Sequence, residues 1–205
     1  MADLKIFLLR HGETTFNADG NRYCGRTDAA LTDKGKNQAK QLSGMLKKIK
    51  FDGVYASPLM RAAETAGMVS PEAEVQTDDR LIEVDFGMWE GKTREEFVAE
   101  DPDLWAKWSS APDDIRAGGT GETAREVVLR VADFFSGIRE KHTSGNILVV
   151  AHNTVNRLFL CWNLGMELKN YRRIVQENCA LTLVNWNDKE GFSLMKLNYR
   201  GEYPE

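Results

Sequence analysis

Two histidines and two arginines follow short apolar segments in three separate parts of the chain. They are Arg10, His11, Arg61 and His152. An arginine guanidinium matches phosphate oxygens in a planar, bidentate way, and nearby cations favour the neutral, nucleophilic form of an imidazole. Because the whole chain contains three histidines, the placement of two of them after such segments is informative. The set predicts transfer of a phosphoryl group to a histidine nitrogen.

A carboxyl group for the accompanying proton transfers is found at Glu83, within the sequence LIEVDFG. Its apolar neighbours favour a raised pKa, which suits a general acid that protonates a leaving alkoxide. Once ionised, the same carboxylate could activate the water that completes a hydrolysis. One acid and base group therefore suffices for both half-reactions.

Taken alone, each of these residues has an ordinary structural explanation as a strand-end cap, a buried hydrogen-bonding group or a surface charge. Their joint appearance after predicted strands favours a functional site. The glycine-rich residues 118–121 lack the lysine of a P-loop and are interpreted as a turn. Since no histidines and carboxylates have the spacing of metal ligands, neither a metal nor another cofactor is expected.

The segments that must position this chemistry alternate between strands and helices. Residues 4–9, 53–56 and 147–151 are apolar runs too short for helices, which is typical of buried strands in a parallel sheet. Helical periodicity follows the first run over residues 31–50, behind Thr32 as an N-cap. In open α/β sheets ligands bind beyond the carboxyl ends of the strands, so the side chains that follow these runs are predicted to converge.

Capping patterns predict where further helices begin. Ser57 followed by Pro58 combines an N-cap residue with a proline at the first helical position. Two capping boxes are present, at Thr93 with Glu96 and at Thr123 with Glu126. The tryptophans at 89, 105 and 108 are interpreted as packing residues, with a lid over the site as the alternative.

The order of the predicted elements indicates the fold class. Residues 179–186 and 192–197 are predicted as a terminal pair of strands. Strands that alternate with helices form a sheet covered on both faces. We therefore expect a single-domain three-layer α/β/α sandwich with a mostly parallel central sheet, spanning residues 1–205.

Composition and charge exclude several classes of protein. The 27 Lys and Arg residues against 31 Asp and Glu give a net charge of -4, so no global positive field attracts nucleic acid. The apolar runs are far shorter than a membrane span of about 20 residues, and no signal peptide is recognised. Three widely spaced cysteines, Cys24, Cys161 and Cys179, fit reduced thiols. These features predict a cytoplasmic protein.

Six motifs together resemble those of the histidine phosphatase superfamily, also called the phosphoglycerate-mutase-like family. They are LLRHGETTFN (8–17), CGRTDAALTDKGKNQA (24–39), YASPLMRAAETA (55–66), LIEVDFGMWEG (81–91), GGTGET (118–123) and ILVVAHNTVNR (147–157). Their order and spacing are highly specific, and they extend over nearly the whole chain.

The resemblance implies a role for each candidate residue. It implies that His11 is the phosphorylated nucleophile, that Glu83 is the proton donor and acceptor, and that the remaining core residues hold the phosphoryl group. Those residues are Arg10, Arg61 and His152. It also implies that Asn17 touches phosphate and that Cys24 and Gly25 lie at the substrate position.

Two departures from the family pattern bear on the substrate. Asn153 follows His152 where the family usually has glycine, and its side chain is a candidate contact for the leaving group. The lysine- and arginine-rich insertion of cofactor-dependent phosphoglycerate mutases is reduced to Lys92, Arg94, Lys107 and Arg116. The chain is thus more similar to the short phosphatase branch, which includes broad-specificity, α-ribazole and metal-independent phosphoserine phosphatases.

The expected activity is metal-independent hydrolysis of a small phosphorylated metabolite through a phosphohistidine at His11. The alternatives are a cofactor-dependent phosphoglycerate mutase and a catalytically silent binding protein. The sequence names neither the substrate nor the oligomeric state. Specificity is expected to depend on residues 89–121, on Asn153 and on the C-terminal residues 198–205.

Overall fold

Six strands form one sheet in the computed structural model, which describes residues 3–187, 189 and 191–200. The strands are β1 (Leu4–Arg10), β2 (Gly53–Ala56), β3 (Val75–Thr77), β4 (Gly145–Ala151), β5 (Leu181–Asn187) and β6 (Gly191–Tyr199). Their order across the sheet is β3-β2-β4-β1-β5-β6. The first four pair in parallel, whereas β5 runs antiparallel to β1 and β6 antiparallel to β5.

Helices cover both faces of this sheet. They are α1 (Thr15–Ala18), α2 (Asp33–Leu46), α3 (Met60–Val69), α4 (Arg94–Glu100), α5 (Pro102–Ser110), α6 (Ala124–Lys141) and α7 (Asn153–Asn163). Short 3₁₀ turns occur at Asp79–Leu81, Gly87–Trp89, Ala117–Gly119 and Leu168–Arg173. The predicted sandwich with a mostly parallel sheet is confirmed.

Alternation along β1 divides the hydrophobic core into two layers. Ile6 and Leu8 pack with α6 and α7 on one face, while Phe7 and Leu9 pack with α2 and α3 on the other. All four side chains are almost fully buried. Successive side chains of a strand point to opposite faces, so a strand covered on both sides is apolar throughout. This burial holds β1 rigidly. The residues that directly follow the strand are therefore held in position as well.

Most of the predicted helix starts are confirmed, and one is wrong. The backbone N–H of Gly35 donates to the Thr32 hydroxyl at the start of α2, and both capping boxes are present at α4 and α6. The helix predicted at Ser57 and Pro58 begins instead at Met60, with Leu59 as its N-cap residue. The Ser57 hydroxyl accepts from the Leu59 N–H within a turn that precedes the helix.

Residues 89–119 add a small aromatic layer to the core. Trp89 and Trp108 are buried, and Trp89 stacks on Phe97 with ring centroids 4.6 Å apart. Trp105 packs against both Trp89 and Phe97. Aromatic rings in such stacked and edge-on contacts stabilise a packed cluster. The interpretation of these tryptophans as packing residues is confirmed.

The predicted terminal strands are present as β5 and β6, but the short edge strand β3 was not predicted. Residues 201–205 of the C-terminal segment lie outside the described residues. Within the described ranges, no helix is both long and apolar enough to cross a membrane.

Candidate active site

The register of the two central strands brings the two histidines together. Arg10 pairs with Ala151 at the carboxyl ends of β1 and β4. The next residue along each strand is a histidine, and the backbone N–H of His11 donates to the Ala151 carbonyl at 3.1 Å. The imidazole centroids of His11 and His152 are 5.2 Å apart. The predicted convergence of strand ends is therefore observed.

A backbone contact determines which nitrogen of His11 can act as a nucleophile. Its Nδ1 lies 2.7 Å from the carbonyl oxygen of Gly12. A carbonyl oxygen accepts hydrogen bonds and cannot donate them, so Nδ1 carries the proton. Nε2 of the neutral ring then holds the free lone pair. The ring is almost fully buried, at 5% exposure, on the cavity wall.

Gly12 is packed too closely for any other residue. A Cβ atom there would lie 2.6 Å from the carbonyl oxygen of Gly35 in α2. The Gly12 N–H also donates to the hydroxyl of Thr65 in α3. These contacts fix the backbone next to His11 and, through the carbonyl of Gly12, the orientation of the imidazole.

Both histidines are held in the neutral form. Burial lowers the pKa of His11 well below 6.5, and the charges of Arg10 and Arg61 lower it further. The pKa of His152 is lowered in the same way, by burial and then by Arg61. His152 is fully buried, and neither of its ring nitrogens has a hydrogen-bond partner among the described residues. Unpaired buried polar atoms are costly, so these nitrogens are suited to bind a ligand.

The two arginines differ in how they are held. Arg61 lies on the first turn of α3, is fully buried, and donates to the carbonyl oxygens of Cys24, Gly25 and Thr27. Arg10 is half-buried and donates through Nη1 to the carbonyl of Gln176. The Nε atom of each is buried and has no partner in the described part of the chain.

Glu83 meets the N-terminus of α7. Its Oε1 accepts from the backbone N–H groups of Val84 and Val155, at 3.0 and 3.1 Å, and its Oε2 accepts from Thr154 at 3.1 Å. Burial raises the pKa of Glu83 above 4.5, while these hydrogen bonds and the charge of Arg61 oppose the rise. The environment therefore favours the acid while retaining donors that stabilise its conjugate base.

A cavity of about 490 Å³ is lined by His11, Arg10 and Glu83. The predicted site residues on its wall are Arg10, His11, Asn17, Cys24, Glu83 and Asn153. Arg61, Gly25 and His152 are not part of the lining. Gly25 instead donates through its N–H to the Glu90 carboxylate, and a Cβ there would lie 2.2 Å from the Val84 carbonyl oxygen.

The candidate substrate contacts are polar. The Asn17 side-chain oxygen accepts from the Thr14 backbone and from Asn178. The thiol of Cys24 donates to the Thr27 carbonyl, and burial raises its pKa to about 11. Its proton is therefore retained at neutral pH. Asn153, the first residue of α7, has a buried side-chain oxygen with no partner among the described residues.

Many polar residues on the cavity wall were not predicted, among them Arg157, Arg172 and Asn178. Asn178 donates to the carbonyl of His11 at 3.0 Å and to Asn17 at 3.1 Å. Arg157 could have been found, because it lies four residues after Asn153 and thus on the same face of a helix. Arg172 and Asn178 belong to segments without a periodic pattern, so the sequence carried no indication of them.

No group of three or more metal-ligating side chains occurs within the described ranges. The site presents arginines, amides and backbone N–H groups instead. These are donors suited to an anion.

Known proteins are similar to this chain in sequence over most of its length. Phosphoserine phosphatase 1 of Hydrogenobacter thermophilus is 32% identical over 197 residues, 95% of this chain and 92% of that protein. The adenosylcobalamin/alpha-ribazole phosphatase of Escherichia coli is 35% identical over 166 residues, 80% of each chain.

Solved structures show the same architecture. The crystal structure of the alpha-ribazole phosphatase from Shigella flexneri matches with a TM-score of 0.85 and 30% identity, covering 98% of this chain and 99% of that one. Phosphoserine phosphatase from Entamoeba histolytica, in complex with 3-phosphoglyceric acid, matches with a TM-score of 0.87 and 28% identity, covering 97% and 98%. The family model described as histidine phosphatase superfamily (branch 1) matches residues 6–200, and the chain belongs to that family.

Proposed function

We propose that this protein is a phosphomonoesterase that hydrolyses a small phosphorylated metabolite through a phosphohistidine at Nε2 of His11. Arg10, Arg61 and His152 hold the phosphoryl oxygens, and Asn17 assists them. Glu83 transfers the protons. Asn153 contacts the leaving group, which its place on the cavity wall supports.

In the first half-reaction, the lone pair of His11 Nε2 forms a bond to phosphorus. The bond between phosphorus and the ester oxygen breaks, and the leaving oxygen takes the proton of Glu83. In the second half-reaction, Glu83 accepts a proton from water while the water oxygen attacks phosphorus. The N–P bond then breaks, its electron pair returns to Nε2, and inorganic phosphate leaves.

The observation that carries this proposal is the hydrogen bond between His11 Nδ1 and the Gly12 carbonyl. It directs the unprotonated nitrogen away from the backbone, in a setting where cations disfavour ring protonation. Two buried guanidinium nitrogens, Arg10 Nε and Arg61 Nε, have no partner among the described residues and are suited to stabilise the charge of a phosphoryl group. Both the nucleophile and the acid belong to the chain, so no step requires a metal.

The test is release of inorganic phosphate from a panel of small phosphomonoesters, measured in excess chelator with mutase product assayed alongside. The panel contains phosphoserine, α-ribazole phosphate, sugar phosphates and the phosphoglycerates. We expect release from at least one compound, with chelation changing the rate by less than about twofold. Isomerised phosphoglycerate without release would show a mutase instead, and no reaction with any compound would favour a binding protein.

Three further expectations stay predictions. They are that residues 1–205 act as one domain, that the protein works in the cytoplasm, and that nucleic acid is not a partner. The first is supported by the single sheet that contains all described strands. Its test is one cooperative unfolding transition with the same midpoint by fluorescence and circular dichroism.

A further inference from the structure

The cavity wall carries more positive charge than one phosphoryl group requires. Three of its cations have carboxylate partners: Arg22 pairs with Asp19 and Glu96, Lys34 with Glu13, and Arg200 with Glu177. The other three cations of the wall are Arg10, Arg157 and Arg172. None of these has a carboxylate within salt-bridge distance in the described part of the chain.

The three guanidinium groups without a carboxylate partner interact electrostatically in sequence, Arg10 with Arg157 and Arg157 with Arg172. Arg10 is next to His11, and after burial the charge of Arg157 is the main cause that lowers the pKa of Arg10 to about 10. Arg157 in turn interacts electrostatically with Tyr171, with the Glu83 carboxylate and with Arg172. Arg157 Nε and Arg172 Nη2 are buried atoms without hydrogen-bond partners in the described residues. Two adjacent cations with unused donors form a binding site for an anion.

Arg172 is held in place before any ligand binds. Its guanidinium lies 4.4 Å from the ring centre of Trp105 and 4.5 Å from that of Tyr171. It also lies beside the Tyr23 hydroxyl, where its charge opposes the burial that raises the pKa of Tyr23. Such stacking fixes the guanidinium plane and leaves its edge for hydrogen bonds. Less rotamer entropy is then lost on binding.

Two aromatic rings of the cavity are too buried to stack on a ligand, and the third, Tyr23, is half-buried and packed against other rings. Tyr171 and Phe86 are 3% and 4% exposed, and Arg172 already covers Tyr171. Tyr23 packs edge-on against Phe86 and Phe97. The wall therefore offers recognition by charge rather than a platform for a flat aromatic leaving group.

We propose that Arg157 and Arg172 form a carboxylate subsite, and that the substrate is a small phosphomonoester with a carboxylate on its leaving group. The inference rests on the proposed phosphatase function and specifies its substrate class. The planar, two-oxygen carboxylate matches the guanidinium fork, and the phosphoryl group lies at the Arg10 end of the same cavity. Phosphorylated hydroxy acids and amino acids satisfy this description.

The experiment compares kcat/KM within two substrate pairs that differ in the carboxylate. The pairs are O-phosphoserine with O-phosphoethanolamine, and 3-phosphoglycerate with glycerol 3-phosphate. The wild-type protein is expected to prefer the carboxylate member of each pair by about tenfold or more, as expected for a lost charge-assisted hydrogen bond. Equal rates within both pairs would overturn the subsite without any variant being made.

Variants then locate the preference. Arg157→Met and Arg172→Met should each reduce the ratio of rates within a pair by about 10- to 100-fold, mainly through the carboxylate substrate. Arg172→Lys should keep part of the wild-type ratio of rates within a pair. The matched control is Arg22→Met, which alters a cation of the same wall that is already paired and should change both members of a pair equally.

An unchanged ratio in both folded methionine variants would refute the subsite. Release of phosphate from O-phosphoethanolamine or p-nitrophenyl phosphate distinguishes this failure from failure of the proposed function, because neither compound has a carboxylate. If the wild-type protein cleaves these compounds while showing no carboxylate preference, the proposed phosphatase function is supported and the proposed subsite is refuted. If no phosphomonoester is cleaved, both the proposed function and the proposed subsite are refuted.

Discussion

Replacing Glu83 with glutamine tests the proton transfers directly. The carboxylate accepts three backbone N–H groups through two oxygens. The amide of glutamine has one oxygen. In its best orientation this oxygen keeps the hydrogen bonds from the N–H groups of Val84 and Val155, while the NH₂ group faces the Thr154 N–H and loses that hydrogen bond. Loss of one buried hydrogen bond costs about 1–3 kcal/mol of unfolding free energy. This is within the stability of a typical domain, so the variant should fold.

The two half-reactions should respond differently to Glu83→Gln. Positioned general acids contribute about 10²- to 10⁴-fold, so kcat/KM for an alkyl ester such as phosphoserine should fall by that amount. A nitrophenolate leaving group needs little protonation, and phosphorylation of His11 by p-nitrophenyl phosphate should remain fast. Hydrolysis of the phosphohistidine still lacks its base. The variant should therefore release a burst of about one nitrophenolate per site, followed by slow turnover.

The assay is stopped-flow absorbance of nitrophenolate together with steady-state phosphate release. Glu126→Gln is the control, because Glu126 also accepts a backbone N–H at a helix N-terminus but lies outside the cavity lining. It should leave both rates within about twofold of the wild-type values. Equal losses on alkyl and aryl substrates, without a burst, would show that Glu83 is not the acid and base.

Three other predictions concern the nucleophile, the pH dependence and the packing. His11→Ala should lower turnover by about 10³-fold or more while circular dichroism stays native, and a folded variant with substantial activity would exclude the phosphohistidine. Because the pKa of His11 is well below 6.5, kcat/KM should not fall as the pH decreases through 6.5. Because the pKa of Glu83 is raised above 4.5 and the acid form is the active one, kcat/KM should decline as rising pH ionises Glu83. After correction for the phosphate ionisation near pH 6, that decline should be absent in Glu83→Gln. Gly25→Ala should lose about 2 kcal/mol or more in urea unfolding, since its Cβ would meet the Val84 carbonyl at 2.2 Å, whereas Gly44→Ala, in an open position of α2, should gain about 0.5–1 kcal/mol.

The central part of the site could be predicted because it depends on regular structure. Parallel strands end at a common edge, so the residues after β1 and β4 were expected at the same edge once both strands were recognised, and the pairing of the two strands makes them neighbours. The apolar setting of Glu83 likewise predicted the direction of its pKa shift. Neither inference needed the position of any individual side chain.

The outer part of the site depends on tertiary contacts that leave no local pattern. Arg172 is oriented by Trp105, which is 67 residues away in the chain, and Asn178 by the carbonyl of His11. Ser57 was misassigned because a hydroxyl before a proline is also typical of a turn, and here its oxygen accepts within that turn. The edge strand β3, with three residues, is too short for alternation to be recognised.

The position of β1 between β4 and β5 has a consequence for synthesis of the protein. The strand that precedes the nucleophile is made first, yet both of its neighbours come from the last third of the chain. At about 5–20 residues per second, roughly 7–28 s separate translation of Arg10 from that of its partner Ala151. During that interval an apolar strand has both hydrogen-bonding edges open, which is the condition that favours pairing with another chain. We therefore expect the nascent chain to be prone to aggregation until β4 is made, and a ribosome that stalls before β4 leaves a chain without the second histidine of the site.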